Sequence, residues 1–222
     1  EETAEKTENA AQDEVVQNKS GASEKETKSA GWSWKLTLVY LILNTNPQNM
    51  NLKIGDKAPE IVNVLIEIPK GAGRNKYEFD KASGLLKLDR VSRAPVVYPA
   101  DYGFIPETSG NDGDPLDILI INRFPILAGA LAEARVLGVF KMNDSGDDDE
   151  KIIGVAAKDS YYDSWQEMRD VPESLQAEIE YFFKTYKELE PGKHIETKGF
   201  LGKKEALELI KKSTIKSQTP WT

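Results

Sequence analysis

From Ile61 onward the chain is cut into short apolar runs by turn residues, and this spacing restricts what it can fold into. The run Ile61–Ile68, IVNVLIEI, is closed by Pro69 and by a Lys70-Gly-Ala-Gly73 turn cluster. Residues 75–80 and 85–90 alternate apolar and polar side chains around Lys81-Ala-Ser-Gly84, the pattern of a β-hairpin. Residues 116–121, 130–141 and 151–157 read as further strands. Helical spacing comes late. After Pro172, Leu175, Ile179, Phe182, Phe183, Tyr186 and Leu189 share one broad face, and Pro191-Gly192 closes it. A second, short helix is expected at 203–212. Many short strands followed by helices predict a mainly β, α+β domain: a small closed barrel with helices packed outside.

The chain ahead of this pattern is different. Residues 1–30 hold eight acidic side chains, four lysines, and no Leu, Ile or aromatic residue. Such a segment buries too little apolar surface to offset its ordering entropy, so it reads as a disordered acidic arm. Trp32, Trp34 and the run Leu36 to Leu43 follow, then a polar linker from Asn44 to Asn49. The run is too short to span a bilayer as a helix, which takes about 20 residues. It reads as an added strand or short helix on the surface of a domain occupying residues 50–222. No stable membrane span is expected.

The chemistry open to this chain is narrow. It has no cysteine, which excludes disulfides, thiolate catalysis and cysteine-ligated zinc. Its one histidine, His194, excludes any site built on several imidazoles and reads as a strand-surface residue. Carboxylates remain for metal and acid–base work, and their oxygens prefer hard cations such as magnesium or manganese. A net charge of −8 argues against nucleic acid as a partner.

The densest chemical feature is Asn111-Asp112-Gly113-Asp114-Pro115-Leu116-Asp117, which runs straight into the apolar residues Ile118 to Ile121. A Gly/Pro turn lets three carboxylates converge, and a bound cation removes their mutual repulsion. A second acidic run, Asp144 to Glu150, ends in Lys151 and enters Ile152-Ile153; it too reads as an acidic turn feeding a strand. Neither run has the ligand spacing of an EF-hand. Two neighbouring barrel strands would bring the runs face to face. Lys76 and Glu78 share one face of a strand, Arg90 ends the next, Tyr98 and Tyr102 flank a stiff Pro/Gly segment, and Tyr186-Lys187 are placed on the long helix.

Asp112-Gly-Asp114-Pro-Leu-Asp117 resembles the D-x-D-P-x-D signature of the soluble inorganic pyrophosphatases of barrel fold. The resemblance runs through roughly residues 50–200. It takes in Glu67 in VLIEIPKG, Lys76 and Glu78 in NKYEFD, Arg90 in LDR, and Tyr98 and Tyr102 in YPADYGFIPET. It continues with Asp144 in KMND, the Asp149-Glu-Lys151 step, and Tyr186-Lys187 in FFKTYKELEPGK. The resemblance implies a five-stranded OB-like barrel with two outer helices and a magnesium-dependent hydrolase of pyrophosphate, with manganese or other divalent cations as alternatives. It implies Asp112, Asp117 and Asp149 as principal metal ligands, Asp144 assisting, and Glu78 for a further ion. Asp147 and Asp148 are the alternatives to Asp149. It further implies Asp114 as general base, and Lys76, Arg90, Tyr102, Lys151, Tyr186 and Lys187 on the phosphates. Glu67 and Tyr98 take supporting places. A homo-oligomer, hexameric before dimeric, and a cytoplasmic location follow, an organelle or envelope address being the alternative. A longer or capped phosphoanhydride is the rival substrate, and a cation- or nucleic-acid-binding barrel the rival function.

Overall fold

The structure is a computed structural model and describes residues 52–215; the expected acidic arm and apolar segment at 1–49 lie outside the described residues. Among the described residues there are eight strands: β1 (Ile61–Ile68), β2 (Asn75–Asp80), β3 (Leu85–Val91), β4 (Asp101–Phe104), β5 (Asp117–Ile121), β6 (Leu131–Asp144), β7 (Asp147–Ala156) and β8 (Ile195–Leu201). The same residues include two α-helices, α1 (Glu173–Thr185) between β7 and β8, and α2 (Lys203–Ser213) after β8. Strands β1, β4, β5, β7 and β6 are hydrogen-bonded in that order, and β6 pairs back onto β1, closing a five-stranded ring. β8 extends from the far side of β6, and β2–β3 stand apart as a hairpin. This is the small closed barrel expected.

Both faces of the ring are apolar, which explains the unbroken run Ile118–Ile121. Ile118 and Ile120 join one buried cluster with Val62, Val64 and, from α2, Ala206 and Ile210. Leu119 and Ile121 point the other way, into a cluster with Phe140, Met142 and, from α1, Ile179, Phe182 and Phe183. Alternation along one strand therefore supplies two cores. The ring is tight where β4 crosses β1: a Cβ on Gly103 would lie 2.0 Å from the Leu65 carbonyl oxygen, so only glycine fits.

Several boundaries differ from the sequence reading. The segment 101–104 is a ring strand, which its Pro/Gly flanks had masked. The second acidic run turns only at its start, and the strand it feeds begins earlier than expected. β6 continues to Asp144 and β7 begins at Asp147, joined by Ser145 and Gly146 alone. Both have positive φ, 59° and 112°, the geometry of a tight hairpin turn whose twist matches its strands. Asp147, Asp148 and Asp149 therefore alternate across a ladder instead of sharing a loop. Helix α1 stops at Thr185, so Tyr186 and Lys187 follow its end and do not lie within it. His194 is exposed, one residue before β8.

Among the described residues, four polar or charged side chains are buried: Glu67, Asp101, Thr108 and Lys151. Asp101 Oδ1 accepts the amides of Lys70 and Ile126 at 2.8 and 2.9 Å, tying two loops together. Burial raises its carboxyl above the ordinary carboxylate range.

Candidate active site

Parallel pairing of β5 with β7 puts Asp117 opposite Lys151 and builds the floor of a cleft. The Lys151 ammonium is an ion-pair partner of Asp117 and lies 2.6 Å from Asp149 Oδ1. Lys151 is 4% exposed. Burial disfavours its charge, but Asp117 and Asp149 more than compensate and hold it protonated, above the ordinary lysine range. Burial pushes the Asp149 carboxyl up, with Lys151 opposing. Asp149 faces the cleft, whereas Asp148, one residue earlier and on the opposite face, pairs with Lys198. At the end of β6, Asp144 meets Lys187. Burial alone would raise its carboxyl, but the Lys187 ammonium and the Ser145 hydroxyl outweigh it and hold Asp144 below the usual range.

The aspartate turn closes one side. The Gly110 amide donates to the Asp114 carbonyl at 2.7 Å, and the Asp114 amide to Asp112 Oδ1 at 3.0 Å. Gly113 has φ 89°, a backbone conformation that glycine adopts without strain. This Asx-type turn spreads Asp112 and Asp114 outward. The opposite side comes from the hairpin, where Lys76 and Arg90 are cross-strand partners and Lys76 pairs with Glu78. Glu67 ties hairpin to barrel: its Oε1 accepts the Phe79 amide at 2.7 Å. Tyr98, Tyr102 and Tyr186 form the back wall, with Tyr98 and Tyr102 ring centroids 5.5 Å apart. Burial raises all three phenols, so they stay protonated as neutral hydrogen-bond donors.

Apart from the alternatives Asp147 and Asp148, every side chain assigned to the site from sequence lines this one cleft of about 270 Å³. Lys81, at the hairpin turn, also lines it. Sequence reasoning passed over it because a lysine beside a Ser-Gly turn is ordinary. Seven carboxylates face five lysine or arginine cations there. Such a set of hard oxygen donors suits a hard divalent cation, which would also let a polyanion approach the acidic wall. The carboxylates are gathered on one cleft but not onto one point. Among the described residues no three acidic or histidine side chains stand as a ready ligand group, the strand aspartates being closed instead onto lysine ammoniums.

Glu67 carries a measurable signature. Burial, reinforced by the charges of Asp117 and Glu78, raises its pKa from 4.5 to about 7, against the opposing Phe79 amide. A raised carboxyl binds its proton more tightly when folded, so its stabilisation is complete below pH 4.5 and lost as pH climbs to about 7. In EDTA, Glu67→Gln is expected to gain stability relative to wild type between pH 5 and pH 8, by up to about 3 kcal/mol. Urea unfolding at the two pH values checks this; an equal difference at both would refute it.

Comparison with known proteins gives a consistent picture. The family model described as inorganic pyrophosphatase matches residues 64–218. The inorganic pyrophosphatase of Thermus thermophilus is 48% identical over 163 residues, covering 72% of this chain and 93% of that protein. That of Aeropyrum pernix is 43% identical, covering 73% and 94%. The crystal structure of the Thermus thermophilus enzyme superposes with a TM-score of 0.72, covering 77% of this chain and 97% of that one. A Trypanosoma cruzi vacuolar soluble pyrophosphatase, 23% identical with a TM-score of 0.64, shares the fold.

Proposed function

This chain belongs to the inorganic pyrophosphatase family and hydrolyses pyrophosphate to two orthophosphates, and we propose that it does so in the cleft between β5, β7 and the β2–β3 hairpin, with Asp114 as general base. The family works with a divalent metal; magnesium is the ion we propose, held by Asp112, Asp117 and Asp149, with Asp144 assisting and Glu78 serving a further ion. Those carboxylates would hold the cation, whose chemistry would be to acidify an attacking water and offset phosphate charge. The observation that carries the reading is the gathering of these carboxylates and of Lys76, Arg90, Lys151 and Lys187 around one cleft.

The protein's own groups divide the work. Asp114 is exposed and lines both the cleft and an open groove over the hairpin, so a proton it accepts from the attacking water has a path to solvent. Lys76 and Arg90 reach in from the hairpin, Lys151 from the β5–β7 floor, and Lys187 from beside the end of β6. Together they grip the two phosphates and stabilise the one that leaves. Tyr102 and Tyr186 donate hydrogen bonds without adding charge. Glu67 and Tyr98 hold the hairpin and the tyrosine wall in place. Phosphate release from pyrophosphate with magnesium, with ATP and tripolyphosphate as controls, tests the reading. Preference for either control would shift the substrate to a longer or capped phosphoanhydride.

Among the described residues no helix is long and apolar enough to cross a membrane. We place the enzyme in the cytoplasm, as a homo-oligomer with a hexamer favoured and a domain starting near residue 50. Phe124, Leu127 and Leu131, 70%, 78% and 51% exposed, offer apolar surface for assembly. Light scattering on the purified chain is expected to give several times the 24.8 kDa protomer mass, and a monomer would end the proposal.

A further inference from the structure

The segment 105–116, between β4 and β5, carries Asp112 and Asp114, and its base is held from several directions. At the root, the Ile105 amide donates to the Leu116 carbonyl at 2.9 Å. The buried Thr108 hydroxyl donates to the Ile105 carbonyl at 2.6 Å and accepts the Leu116 amide at 2.9 Å. Next to it stands Glu107, with φ 55°, a left-handed conformation that a glutamate adopts only when its surroundings enforce it. Two ends of the folded domain enforce it here. From one, Lys53 donates to Glu107 Oε1 at 2.8 Å and the Ile54 amide to Oε2 at 3.1 Å. From the other, the Ile215 amide donates to the Glu107 carbonyl and the Ser109 amide to the Ser213 carbonyl, each at 2.8 Å. Thr108 and Thr214 form an antiparallel bridge between the two segments.

We propose that Glu107 is a positioning residue for the reaction: it locks the base of the aspartate turn between the entry segment at 53–54 and the end of α2, and so sets where Asp112 and Asp114 stand. The turn's own backbone and Asx bonds run between Gly110, Asp112, Gly113 and Asp114, and a 3.5 Å contact from the Ser109 hydroxyl to the Gly110 carbonyl joins them to the base, so they hold its shape and leave its tilt to the base. Glu107 reaches no group in the cleft, and its influence passes through backbone. Glu107 is only partly buried and adds no apolar surface to either core cluster, so losing its side chain removes an ion pair and a hydrogen bond and takes nothing from the packing of the cores. A displacement of the turn by an ångström is enough to change turnover by about 100-fold.

The proposal rests on the pyrophosphatase reading, and the test separates the two. In the full chain, Glu107→Ala is expected to lower kcat for pyrophosphate about tenfold or more, with a smaller change in KM. In EDTA it is expected to speed hydrogen exchange at the Gly110 and Asp114 amides while leaving β5 and β7 protected. Glu107→Gln keeps an oxygen for the Ile54 amide and should recover most of the loss. Glu107→Gly relaxes the backbone yet loses the side-chain ties, so it should fold readily and still turn over slowly. Wild-type kcat in the Ala or Gly variant, or faster exchange spread evenly through the barrel, would overturn the proposal. A wild-type chain inert toward pyrophosphate would sink the substrate reading, while exchange at Gly110 would still decide the positioning.

Discussion

Asp114→Asn is expected to lower kcat for pyrophosphate by about 100- to 10,000-fold, the range for loss of a general base, with the fold intact. The side chain changes by one isosteric atom on an exposed turn. What Asp114 contributes to the fold comes from its backbone, whose amide meets Asp112 Oδ1 and whose carbonyl accepts the Gly110 amide. Both bonds survive the substitution, so thermal melting should move by no more than a few degrees, as for most surface changes. KM should change less than kcat, because an interaction that matters only as the proton moves appears in turnover. The measurement is steady-state phosphate release with magnesium, wild type beside variant. Near-normal turnover in the variant would move the proton acceptor elsewhere and leave the substrate assignment standing.

Lys151→Met is expected to be as severe, by a different route. Methionine keeps most of the buried aliphatic volume but leaves Asp117 and Asp149 without the ammonium between them. Removing one partner of a buried charge pair costs about 3 kcal/mol or more, so the variant should melt well below wild type in EDTA. Adding magnesium should then recover more of the melting temperature than in wild type, since an ion bound only by the folded state raises stability by mass action. Turnover should stay down about 100-fold even with metal, as for loss of one preorganised electrostatic contact. Equal magnesium-induced shifts in the two proteins would show that Lys151 does not balance the strand aspartates.

Much of the architecture could be read from residue order. Alternation at 75–80 and 85–90, the Pro69 and Gly84 turns and the helical spacing after Pro172 are local signals, and local signals survive without knowledge of partners. Boundaries failed where a neighbour decided them. Asp101–Phe104 is a strand because β1 and β5 flank it, and nothing within Tyr-Gly-Phe announces that. Asp147 to Glu150 look like a solvated loop by composition, yet they extend β7 because a Ser-Gly turn folds them against β6. Tyr186 falls just past α1 although its spacing continues the helical face.

The sequence by itself determined the chemistry: hard oxygen donors, no thiol, one imidazole, and lysine and arginine cations in an order that resembles one family. Their convergence needed tertiary structure, because Glu67, Asp117 and Asp149 come from three strands of the closed ring while Arg90 comes from the separate hairpin and Lys187 from the segment after α1. Tertiary structure also decided that Asp149 faces the cleft and Asp148 does not, since side chains alternate along a ladder and only its register against β6 assigns each face. The hold on Glu107 is likewise invisible in sequence, because it joins residues 53–54, 107–109 and 213–215, which meet only once the barrel has closed.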